Sequence, residues 1–173
     1  MRGLPERIAW SARRTAPLAL LAVAWLAVAG CGSGSGSNTN GDLDGSFAAC
    51  ANETRADSYS AGMLKTGKAG KLTAELVSST PGPPIKGTNT WSLVVKDSGG
   101  APVDGATILV TPFMPDHNHG TSVRAVVTSM GNGTYSITPL YFFMAGLWQT
   151  TLDIKSADGA TADSVVFSFC VDG

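Results

Sequence analysis

S-V-R-A-V-V-T-S-M-G-N-G-T-Y-S-I-T, residues 122–138, carries the pattern of a β-hairpin. Two β-prone runs, S-V-R-A-V-V-T and T-Y-S-I-T, flank G-N-G at 131–133. Asn-Gly between such runs is a strong hairpin signal, because both residues tolerate the positive φ that a type I′ turn demands. The same grammar extends outward in both directions. Upstream lie K-L-T-A-E-L-V (71–77), T-W-S-L-V-V-K (90–96) and A-T-I-L-V-T-P (106–112), broken by P-G-P-P at 81–84 and D-S-G-G-A-P-V-D-G at 97–105. Downstream, L-W-Q-T-T-L-D-I-K (147–155) and D-S-V-V-F-S-F-C (163–170) are separated by the A-D-G turn at 157–159.

Seven short strands with turn residues between them predict an all-β, immunoglobulin-like antiparallel β-sandwich of about seven strands. Trp91 and Trp148 fall among alternating apolar residues, where their area helps fill a two-sheet core. G-N-G-T-Y resembles the turn-plus-tyrosine of immunoglobulin-like domains, with Tyr135 in the tyrosine's place. The polar stretch from Cys50 to Lys68 has no sustained period; it reads as a loop stapled by Cys50, or as a short helix near Thr54.

The N-terminal region reads as an address. Arg2, Arg7, Arg13 and Arg14 precede an apolar run at 16–30, shorter than the roughly 20 residues of a membrane span. The run ends in V-A-G-C at 28–31, the pattern of a bacterial lipoprotein signal. Residues 1–30 are thus expected to be removed, leaving Cys31 as the acylated N-terminus. Residues 31–48, rich in Gly and Ser, form a tether that cannot bury enough apolar surface to fold. The globular domain is 49–173. The expected location is membrane-anchored and extracytoplasmic. Gly32 stands where aspartate would favour inner-membrane retention, so a cell with two membranes would carry the protein on its outer membrane, facing the periplasm or the surface.

Loss of the signal takes away four arginines and one glutamate, so the net charge falls from −1 to about −4. With no basic stripe, nucleic acid is not an expected partner. Of the three cysteines, Cys31 takes lipid, which leaves Cys50 and Cys170 for a disulfide in an oxidising compartment. A cysteine-containing metal site would need those sulfurs near the histidines, and nothing in the spacing places them there.

The chain's two histidines, His117 and His119, both lie in T-P-F-M-P-D-H-N-H-G at 111–120. Met114 precedes them, and Met144 follows in Y-F-F-M-A-G-L-W. Imidazole and thioether donors together suit soft transition metals, copper first. On a regular strand 117 and 119 would share a face, though Pro115, Asn118 and Gly120 give the stretch a loop character. Asp116 and Asn118 are expected to shape the turn through side-chain-to-backbone bonds; Asp116 as a third ligand would instead favour zinc. Met130 and Met63 are weaker candidates. No G-x-S-x-G motif and no Gly-rich phosphate loop is present. A histidine brace would need a free N-terminal histidine, and Cys31 takes that place. The expectation is a binding protein, not an enzyme.

M-P-D-H-N-H-G (114–120), G-N-G-T-Y (131–135) and F-F-M-A-G-L-W-Q-T-T-L-D-I (142–154), in that order, resemble the YtkA-like and FixH-like family over about residues 70–170. The resemblance implies an immunoglobulin-like sandwich outside the cytoplasm and, by analogy with some relatives, copper handling or oxidase assembly. It makes His117, His119, Met114 and Met144 the ligand candidates. Ala145 stands where the family often has proline, which would loosen the loop that presents Met144. The membrane helix of FixH is replaced here by the lipid anchor. Two functions follow as expectations. One is a lipoprotein that binds copper for buffering or for transfer to a protein partner. The other is a metal-free structural or adhesive sandwich module.

Overall fold

The computed structural model describes residues 50–173. Cys31, the signal at 1–30 and the tether at 31–48 lie outside the described residues. Nine strands run in order: β1 (Met63–Thr66), β2 (Leu72–Thr80), β3 (Gly87–Asp97), β4 (Thr107–Met114), β5 (His119–Gly120), β6 (Val126–Gly131), β7 (Thr134–Phe142), β8 (Gly146–Lys155) and β9 (Ala162–Val171). They form two antiparallel sheets, β1-β2-β3-β7-β6 and β5-β4-β8-β9, with no helix among the described residues.

The period-two alternation decides what faces inward. On β3 it buries Asn89, Trp91, Leu93 and Val95, and on β8 Trp148, Thr150, Leu152 and Ile154. Trp91 meets Phe142, Phe167 and Phe169 edge-to-face, with centroids 5.6 to 6.4 Å apart. Such contacts add about 0.5–1.5 kcal/mol each beyond the area they bury. The core is thus an aromatic layer shared by both sheets.

The seven expected strands are all present, and two short ones add to them. β1 pairs with β2, and β5 pairs with the end of β4. The strand expected at 122–128 begins instead at Val126, since residues 122–123 form a bend and 124–125 are irregular chain outside the ladder. The short helix near Thr54 is replaced by a turn at 50–52 and irregular chain leading to β1.

That N-terminal segment has a job. Cys50 and Cys170 form a disulfide. Asp57 N donates to Ser168 O at 2.6 Å, and Ser168 N donates to Asp57 Oδ2 at 2.8 Å. The Tyr59 ring packs edge-on against Phe169, and its hydroxyl accepts from Ser79 N. The segment therefore covers the outer edge of β9, which would otherwise offer unpaired backbone groups.

At the 131–133 turn, Asn132 and Gly133 have φ of 52° and 68°, as a type I′ hairpin requires. Gly133 is also needed for space, because a β-carbon there would stand 2.5 Å from Val95 O. Tyr135, 1% exposed, donates to Val103 O and accepts from Ala106 N at 2.9 Å. In immunoglobulin domains the tyrosine reaches back a few residues. Here it crosses to the segment before β4 and latches the two sheets together.

Asp163, on the inward face of β9, accepts from the backbone N–H groups of Ala69, Lys71, Leu72 and Ser164. Burial alone would raise its pKa. The four donors outweigh that and hold the carboxyl below its ordinary value.

Candidate metal centre

β4 ends at Met114, and β5 starts at His119 directly opposite it in the ladder. Pro115 cannot extend the strand's hydrogen bonding, and Asn118 takes φ of 52°, a left-handed conformation that asparagine tolerates better than most residues. The two histidines therefore do not alternate along one strand. His117 sits in the turn at 115–118 and His119 on the returning strand.

The hairpin still brings the imidazoles together. Their ring centroids are 5.6 Å apart and tilted by 54°. An ion bound to imidazole nitrogen at about 2.0–2.1 Å lies roughly 3.2 Å from the ring centroid. Two rings sharing one ion at a tetrahedral or trigonal angle then stand about 5–6 Å apart. The observed spacing meets that requirement. His117 is exposed and His119 half-buried, so the pair opens to solvent at the rim.

His119 is the better anchored of the two. Its ring stacks on Phe143 at 5.2 Å and meets the edge of Trp148 at 6.3 Å. Its Nδ1 lies 3.3 Å from Gly120 O. In the tautomer that donates to this carbonyl, Nε2 keeps a lone pair for a ligand, the usual arrangement behind a metal-binding histidine.

The thioethers differ. Met114 is 1% exposed and faces inward at the register position opposite His119. Its methyl packs against Gly146, where a β-carbon would come within 2.9 Å. Met144 is half-buried and follows Phe143, the residue stacked on His119. Trp148 Nε1 donates to Met144 O at 2.9 Å, so the turn carrying Ala145 is held despite lacking proline. Met130 is 66% exposed beside the 131–133 turn, a strand length from Met114. Met63 lies on β1, in the other sheet.

Asp116 departs from both expectations. Its carboxylate bonds the side chain of Arg55, not the turn backbone, with Nη1 to Oδ1 at 2.8 Å and Nη2 to Oδ2 at 2.7 Å. That guanidinium lowers the Asp116 pKa, and the bonds from Arg55 lower that of Glu53. Among the described residues, no three His, Cys, Asp or Glu side chains converge as a metal site. A zinc set of Asp116, His117 and His119 is therefore not assembled. The soft donors nearest the histidine pair in the fold are Met114, opposite His119 in the ladder, and Met144, next to Phe143.

A model of the YtkA-like family matches residues 66–153. The chain belongs to that family. The matched region of this YtkA-like protein runs from the end of β1 into β8 and contains Met114, His117, His119 and Met144. It stops short of β9, whereas the sequence resemblance extended to about residue 170, and it excludes both disulfide cysteines. No curated protein and no solved structure matches the chain.

Sequence reading missed Arg55, Phe143 and Gly146. Only Gly146 had a local signal, as the glycine of F-F-M-A-G-L-W. Arg55 lies 61 residues from Asp116, and no pattern in the chain links the two.

Proposed function

We propose that this YtkA-like domain binds a soft transition-metal ion, copper(I) first, through His117 and His119. Met114, the buried register partner of His119, and Met144 on the adjoining turn are the thioether donors. One observation carries the reading: the chain's two imidazoles stand at the spacing of a shared ion, on a hairpin whose next inward side chain is a methionine. Softness of the donor set favours copper over zinc or a hard cation. Family membership and the Cys50–Cys170 pair support an extracytoplasmic setting. With Cys31 acylated, the lipid holds the protein at the membrane. The protein binds without catalysing, and an open rim favours handing the ion to a partner protein by ligand exchange.

Copper(I) titration of the full chain against a chromophoric chelator tests this. Wild type is expected to take up one equivalent, and His117→Ala/His119→Ala to lose it. Unaltered binding in the double variant would remove the assignment.

Phe143 favours a second reading, a metal-free module that docks a protein or glycan. It is 40% exposed at the same rim and is already stacked on His119. A melting temperature indifferent to copper would favour this alternative, because a ligand specific to the native state must raise stability.

A further inference from the structure

We propose that Arg55 sets the metal selectivity of the rim by occupying the Asp116 carboxylate and keeping it out of the donor set. The inference rests on the reading of His117 and His119 as ligands.

The D-H-N-H run offers two donor sets. A carboxylate with two imidazoles is a borderline-hard combination suited to zinc. Two imidazoles with a thioether are softer and suit copper(I). Which set forms depends on whether Asp116 is free to turn toward the histidines. Both of its oxygens are engaged by the Arg55 fork, at 2.8 and 2.7 Å. Such bidentate pairing fixes geometry as well as charge.

Arg55 is itself held in place. Its Nε and Nη2 donate to Glu53 at 3.0 and 2.6 Å, and its backbone N donates to Glu53 Oε1 at 2.6 Å. Glu53 in turn follows Cys50, which is bonded to Cys170, and Asp57 is bonded to Ser168. The arginine is thus delivered to the β4–β5 turn by a segment fastened to β9 on both sides of it. Exposed ion pairs contribute little to stability as a rule. The consequence of this one lies in where it leaves the carboxylate.

Zinc(II) and copper(I) affinities measured by chelator competition on the full chain test the inference. The variants are Arg55→Ala, Arg55→Lys, Asp116→Asn and Arg55→Ala/Asp116→Asn. Arg55→Ala should tighten zinc by about three- to fivefold, the scale on which releasing an exposed ion pair acts, and change copper(I) by less than about twofold. The zinc gain should vanish when Asp116→Asn is added. Arg55→Lys should fall between, since an ammonium keeps the charge and loses the fork. Cobalt(II) absorption should shift in Arg55→Ala and return with Asp116→Asn. Equal tightening of both ions, a zinc gain that survives Asp116→Asn, or unchanged zinc affinity would each overturn the inference. Copper(I) binding lost in His117→Ala/His119→Ala while zinc ignores Arg55 would sink this selectivity role alone. Binding of neither ion, or binding indifferent to the histidines, would sink the ligand reading and this inference with it.

Discussion

Asp163→Asn is expected to be among the most damaging isosteric changes in the domain. Asp163 is 8% exposed. Oδ1 takes Ala69 N and Ser164 N, and Oδ2 takes Lys71 N and Leu72 N. Asparagine keeps one acceptor oxygen and turns an amide NH2 toward the other two donors. At roughly 1.5–3 kcal/mol for a hydrogen bond to a charged group, losing two comes to about 3–6 kcal/mol. That is a large share of the roughly 5–15 kcal/mol that stabilises a typical domain. The pH dependence has a definite sign. The folded pKa is depressed, so the carboxylate's contribution is complete above the unfolded value of about 3.9 and is lost as pH falls through the folded one. Urea unfolding of both proteins at pH 7 and at pH 3 should therefore show a wide gap that narrows in acid. A β-carbon at Gly67 would stand 2.2 Å from Oδ2, so Gly67→Ala should be destabilising too, and non-additive with Asp163→Asn. A gap under about 1 kcal/mol at pH 7, or one equally wide at pH 3, would rule out this role for the Asp163 carboxylate.

Two further outcomes are expected. Cys50 and Cys170 are separated by 120 residues, and chain entropy sets an upper figure of about 5 kcal/mol for closing that loop; Cys50→Ser/Cys170→Ser should therefore melt well below wild type in a thermal scan. Tyr135→Phe leaves Val103 O and Ala106 N without their partner and should cost about 1–3 kcal/mol. Its copper affinity should stay at the wild-type level, because the latch is at the opposite end of β4 from Met114.

The core strands were legible because buried and exposed residues alternate along them, as in Trp91, Leu93 and Val95 on β3 and Phe167 and Phe169 on β9. β1 was not, since M-L-K-T carries too few residues to establish a period. β5 has two residues and exists only because the turn at 115–118 folds His119 back onto Met114. The histidine pair and its methionines were visible as composition, but their geometry was not. The hairpin places Met114 opposite His119, a pairing that spacing along the chain does not reveal. Asp163 left a trace that went unread, a carboxylate in phase with Val165, Phe167 and Phe169 and thus facing the core. Arg55 left none, because its partner is distant in the chain and its approach depends on a disulfide-fastened segment.

X-ray absorption at the copper edge of the copper(I)-loaded full chain reads the ligand set itself. Two nitrogen scatterers at about 2.0 Å and at least one sulfur near 2.3 Å are expected, with the sulfur shell diminished in Met114→Leu or Met144→Leu. A first shell without sulfur, or one unchanged when both histidines are replaced by alanine, would contradict it.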